Sequence, residues 1–179
     1  TCQYIGLEFD SPDNRDLKKA DFFYDGVTFP FTNDEFDSVV CNQVLEHVFT
    51  PDDFLLEIHR VLKDQGALLL TVPFIWDEHE QPFDYARYSS FGLKSLLNRN
   101  GFDIIEQRKT LTDVRVIFQL INAYIYKITA SKNSFINLGI SIFLMSPINI
   151  IAVLISRVLP SNRDLYLDNV VLARKRCQL

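Results

Sequence analysis

The sequence predicts an α/β domain with an open, mostly parallel sheet, and three observations carry that expectation. Short apolar runs rich in β-branched residues alternate with helices that have recognisable starts and stops. One run, ALLLTVPF at 67–74, is uninterrupted and too short for a buried helix, so it reads as a fully buried strand. A polar, aromatic stretch without period follows it at 76–90, where a long loop in a compact domain is usually functional.

The elements follow in order. YIGLEF at 4–9 reads as a short strand that ends in acidic residues before the turn-like 10–14. ADFFYD at 20–25 is a second strand, GVTFPFTNDE an irregular connection, and FDSVVC at 36–41 a third strand whose Val39 and Val40 suit a sheet interior. NQVLEHVF then forms a short helix. Thr50, Pro51, Asp52 and Asp53 supply a hydroxyl cap, a first-turn proline and carboxylates at the positive end of the next helix dipole. Phe54, Leu55, Ile58, Val61 and Leu62 recur at helical spacing, and Gly66 is the expected stop. After the 76–90 loop, Ser89 or Ser90 starts a helix with Phe91, Leu93, Leu96 and Leu97 on its apolar face, and Gly101 ends it before the strand FDIIEQR. Two long apolar stretches, 114–128 and 135–159, precede the closing strand LYLDNVVLARK. They read as a helical insertion at 111–160, between a core at 1–110 and its closing strand at 161–179.

Length and charge limit the function classes. The 179 residues, 47% of them hydrophobic, make one ordinary domain with a continuous core. Against 23 acidic residues stand 18 basic ones, for a net charge of −5 with no basic block, so nucleic acid is not an expected partner. Cys2, Cys41 and Cys177 are widely spaced and form no CxxC pair, which supports neither a disulfide framework nor a zinc site; no metal-ligand set is expected, and reduced thiols fit a cytoplasmic protein. Residues 138–156 carry no charge and come close to the length that crosses a bilayer. Pro147, Asn149 and the return to the closing strand argue against a span. The expectation is association of 114–159 with a membrane surface, Lys127, Lys132 and Arg157 meeting headgroups; a buried cap or homodimer face is the alternative.

YIGLEF, ADFFYDGVTFPF, NDEFDSVVCNQVLEHV, RVLKDQGALLLTVP and RNGFDIIE, in that order and spacing, resemble the class I S-adenosylmethionine-dependent methyltransferases of the type 11 kind. The similarity runs over about 4–109 and implies a Rossmann-like sheet with S-adenosylmethionine as cofactor. The resemblance places Glu8 on the ribose hydroxyls, Asp25 on the adenine amino group with the Gly26 backbone against the ring, and Asn42, Gln43 and Val44 along the methionine part. Without the resemblance, Glu8 reads as a solvated strand-end acid. Asp21 competes with Asp25 and is read as solvated, while Phe29 and Phe31 either flank the adenine or pack in the core.

Glu46 and His47 match an E-H pair at the floor of the family's site, where His47 is a packed helix residue or a base. The loop carrying Asp77, Glu78, His79, Glu80, Asp84, Tyr85, Arg87 and Tyr88 is where the acceptor enters. His79 or an adjacent carboxylate such as Glu80 takes the acceptor proton, or the loop is a solvated lid. Trp76, Tyr85 and Tyr88 are candidates to exclude water. The family's first strand and its glycine-rich loop have no counterpart before Tyr4. The expectation is therefore an N-terminally incomplete methyltransferase acting on oxygen or nitrogen of a small-molecule, glycan or lipid-linked acceptor; the alternative is a degenerate binding module, membrane-associated or partner-binding. A nicotinamide-dependent enzyme fits poorly because no dinucleotide fingerprint is present.

Overall fold

A computed structural model describes residues 3–11 and 20–177. Most of the turn expected at 10–14 lies outside them. Strand β1, Leu7–Phe9, pairs in parallel with β2, Phe22–Tyr24, as a two-stranded sheet. A second sheet has the order β3-β4-β6-β5, with β3 at Phe36–Asn42, β4 at Leu62–Pro73, β5 at Phe102–Lys109 and β6 at Asp168–Lys175. β3 and β4 are parallel, while β6 runs antiparallel between β4 and β5. The mixed α/β architecture predicted from the sequence is present. Among the described residues β3 ends its sheet and does not hydrogen-bond to the β1–β2 pair.

Helix α1, Pro51–Val61, has Pro51 in its first turn, but Thr50 makes no side-chain cap bond. The helix stops before the expected Gly66. Leu62 is fully buried, its carbonyl accepts a bond from Lys175 Nζ at 2.6 Å, and β4 begins there. Gly66 lies within β4, where a Cβ would stand 2.8 Å from the Lys63 carbonyl oxygen. Helix α2, Ser90–Arg99, follows the sequence expectation more closely: Ser89 Oγ accepts from the Gly92 amide at 3.1 Å, and Gly101, at φ +84°, follows the cap residue Asn100.

The core joins α1 and α2 to one face of the larger sheet. Leu55, Ile58, Leu93 and Leu97 meet Leu68, Leu70, Val72 and Phe102, all sealed from solvent. The other face is open. Val40 pairs laterally with Leu69, and Leu69 with Leu172, so the three form one row; Val40 is 65% and Leu69 38% exposed. The expectation that ALLLTVPF is buried on both sides is thus corrected: an apolar run reports what a strand tolerates, while burial depends on which layers cover it.

The apolar stretches form α3, Arg115–Thr129, and α4, Ser134–Ser156, the latter with a π-helical turn at Ser141–Met145. α3 packs on the second half of α4, and Asn122 donates to Asn149 Oδ1 across that contact at 2.7 Å. Both asparagines sit on apolar helices, where their amides find each other instead of water.

Candidate functional site

Parallel pairing sets Phe9 beside Tyr24, so Glu8 and Asp25 stand at the same carboxyl edge of the small sheet. Tyr24 links that edge to β3. Its hydroxyl pKa is pushed up to about 12, first by burial and then by the charges of Cys41, Glu8 and Asp25. Three strand ends therefore converge on one side of the molecule, the side on which open α/β sheets bind ligands. Asp25 Oδ1 accepts from the Val27 and Thr28 amides at 2.9 and 3.0 Å, and these bonds hold its carboxyl below the usual range. Gly26 adopts φ +89°, and a Cβ there would meet the Phe9 ring at 2.9 Å. Only glycine combines that backbone with that approach.

Asp21 is exposed, as expected, yet it also accepts from the Gly6 amide at 2.7 Å and so braces the first strand. Phe29 is 6% exposed and meets Tyr24 and Phe54 edge to face, while Phe31 meets Phe22 and Phe36. Of the two expectations for Phe29, the core placement is the one found. The connection bearing these rings is clamped to α1. Arg60 donates to the carbonyls of Phe29 and Phe31 and to Asn33, and Glu57 accepts from the Phe29 amide at 2.8 Å while pairing with Arg60 at 2.7 Å.

At the end of β3, Asn42 Oδ1 accepts from the Thr71 hydroxyl. Gln43 follows in the left-handed region at φ +53°, its amide on the Thr71 carbonyl at 3.0 Å and its side chain reaching Thr71 Oγ1 and Asp168. Strain of this kind in a residue without special freedom persists only where surrounding bonds impose it. Val44 is 38% exposed beside them.

The expected short helix is a 3-10 turn, Leu45–His47, and the 74–89 loop folds over it. Amides of Tyr85 and Ala86 donate to the Glu46 carbonyl. Arg87 is the organiser. It grips Asp84 with both terminal nitrogens and donates to the carbonyls of Trp76, Asp77 and Ala86; the pairing holds Asp84 well below the usual carboxylate range. The loop thereby brings His79 to His47, ring centroids 4.7 Å apart. Beneath them Glu46 is sealed from solvent, and neither carboxylate oxygen has a hydrogen-bond partner among the described residues. Burial raises its pKa, opposed by contact with its own backbone and by the charges of His47, His79 and Arg87.

A family model of the methyltransferase domain matches residues 8–70. The chain superimposes on the cyclase SpnF with a TM-score of 0.55 at 21% identity, covering 93% of this chain and 60% of SpnF. The chain has the class I methyltransferase fold. Two further structures agree: phosphoethanolamine N-methyltransferase 2 of Haemonchus contortus in complex with S-adenosyl-L-methionine, with a TM-score of 0.51, 19% identity, 92% of this chain and 40% of that one, and a SAM-dependent methyltransferase from Methanosarcina mazei, with 0.50, 17%, 89% and 69%. The chain thus spans about three fifths of SpnF and two fifths of the Haemonchus enzyme. Comparison with curated proteins finds no match.

On this methyltransferase fold the predicted residues form two groups. Glu8, Asp25 and Gly26 share one edge, and Asn42, Gln43 and Val44 lie at the end of β3 and just after it. His47 and His79 meet under the loop. Glu80 does not join them: it is exposed, at φ +50°, and its carbonyl accepts from the Phe83 amide to shape a turn. Glu46 is the carboxylate beside the histidines, and its signal in the sequence is the E-H pair it makes with His47 just after β3. An open hollow of about 570 Å³, lined by Ser90, Gln107, Lys109 and Arg163 among others, lies at the β5 edge and includes none of the predicted residues.

Proposed function

We propose that this protein is an S-adenosylmethionine-dependent methyltransferase whose acceptor is an oxygen or nitrogen of a small-molecule, glycan or lipid-linked compound. The observation that carries the reading is the parallel pairing of β1 with β2, which puts Glu8 and Asp25 at one carboxyl edge. Two carboxylates at neighbouring strand ends fit a nucleoside, with hydroxyls for Glu8 and an amino group for Asp25. Asn42, Gln43 and Val44 continue the edge toward the methionine part. Bound there, the cofactor supplies a methyl carbon activated by its sulfonium.

The chain's own work is alignment. The 74–89 loop would hold the acceptor over the histidine pair, in line with the methyl group that the cofactor would supply. The acceptor's proton leaves through His79 or His47. Calorimetry on the full-length protein tests the reading. S-adenosylmethionine should bind, and Glu8→Gln and Asp25→Asn should each weaken it at least tenfold; absence of binding, or affinity unchanged in both variants, overturns it.

We propose a cytoplasmic protein, with 1–110 and 161–179 as the core and 111–160 as an insertion that lies on a membrane surface. Supporting this, α4 spans 23 residues, its most apolar window has a mean hydropathy of 2.3 with 6% of it buried, and Phe135 and Phe143 are each 83% exposed. Lys132 and Arg157 flank it as headgroup contacts, whereas Lys127 is held by Asp77. Flotation with phosphatidylcholine–phosphatidylglycerol vesicles should carry the protein upward; a soluble homodimer with no flotation would assign the same face to a second copy.

A further inference from the structure

We propose that Glu46, His47 and His79 form a binding site for a divalent transition-metal cation of the zinc type. The carboxylate comes first. Glu46 is wholly buried with two unpartnered oxygens among the described residues, and a buried carboxylate is retained when a cation or a full set of donors compensates it. No donor reaches it. What faces it instead is imidazole: His47 Nε2 stands 4.0 Å from Glu46 Oε1.

Both histidines have their ring protons directed away from that carboxylate. His47 Nδ1 lies 2.8 Å from the Phe83 carbonyl oxygen, an acceptor, so Nδ1 carries the hydrogen and Nε2 keeps its lone pair. His79 Nδ1 lies 3.2 Å from the Asp77 carbonyl oxygen and 3.3 Å from the Asp84 carboxylate, two acceptors that favour a hydrogen on Nδ1, with Arg87 Nη2 farther off at 3.5 Å. A backbone carbonyl on one ring and a carboxylate on the other are the supports that metal-bound histidines use. One donor atom from each of the three residues falls within 4.8 Å of the other two.

Around a tetrahedral cation with bonds of about 2.0–2.1 Å, donors lie roughly 3.3 Å apart, so modest side-chain rotation closes the set. Arg87 does not oppose a cation here, because Asp84 accepts from both of its terminal nitrogens. Two nitrogens and one carboxylate favour zinc-like ions over magnesium, which prefers six oxygens. Three protein ligands leave a position open to water or another oxygen ligand.

The site shares His47 and His79 with the methyl-transfer reading, as ligands in place of proton acceptors, and its test reads metal directly. Full-length protein stripped with chelator is titrated with Co²⁺ followed by visible absorption, then with Zn²⁺ followed by dialysis and elemental analysis. About one equivalent should bind, Zn²⁺ should displace Co²⁺, and Mg²⁺ in excess should not. His47→Gln and His79→Gln should each lower affinity at least tenfold while circular dichroism is unchanged, and Glu46→Gln should do the same. His59→Gln, remote on α1, should bind normally. Fewer than a tenth of an equivalent bound, or full binding in the His47→Gln, His79→Gln double variant, overturns the proposal whether or not S-adenosylmethionine binds.

Discussion

Lys127, near the end of α3, forms an ion pair with Asp77 at 2.8 Å and also donates to the Glu78 carbonyl. The contact joins the apolar insertion to the loop that carries His79. Lys127 is half exposed and Asp77 about a third, so water and salt weaken the pair. Lys127→Ala should cost only about 0.5 kcal/mol of global stability. Amide exchange at 76–80, however, should accelerate several-fold, because local opening follows local contacts. Unchanged exchange there would mean that Arg87 alone holds the loop.

The Glu57–Arg60 clamp should make stability depend on acid. Arg60, and behind it the Phe29 amide, holds the Glu57 carboxyl below its ordinary value. A carboxyl with a depressed folded-state pKa contributes stability above its unfolded value of about 4.3 and loses that contribution as pH falls through the folded value. Glu57→Gln should therefore be less stable than the native chain by about 1–3 kcal/mol at pH 7. The gap should be flat from about pH 6 to 8 and close below about pH 4. Thermal melts across that range check both the size and the direction.

Gly26→Ala should be destabilising by at least about 1 kcal/mol, since a Cβ at φ +89° is strained and meets the Phe9 ring. The same change tilts the Asp25 turn. Affinity for S-adenosylmethionine should fall more than the melting temperature predicts, and calorimetry alongside melts separates the two losses.

The described cysteines should differ in reactivity. Burial, with help from Glu46, pushes the Cys41 thiol up to about 12, whereas Cys177 is exposed. A thiol reagent at pH 8 should modify Cys177 in the native protein and reach Cys41 only after denaturation, read by peptide mass mapping. Native-state labelling of Cys41 would show that the β3 end opens.

Local chemistry made much of this fold legible. The Ser89 side chain and the left-handed backbone of Gly101 bracket α2 as expected, and β3 forms where its valines stand, though Val40 is exposed and not in a sheet interior. Misreadings came where a distant partner decides. Gly66 looked like a helix stop, but Lys175, from the last strand, takes the Leu62 carbonyl and starts β4 early. Glu46 and His79 are far apart in sequence and meet because Arg87 gathers the intervening loop, which no period reveals. Glu80 was the plausible neighbour, and its left-handed backbone turns it outward instead.

Among the described residues β3 has a strand neighbour on one side only, and Val40 and Leu69 beside that margin are exposed. Free amides next to exposed aliphatics are a template for intermolecular strand addition. A preparation of these residues by themselves is thus prone to fibrillate as it is concentrated, and whatever shields that margin also sets the protein's shelf life.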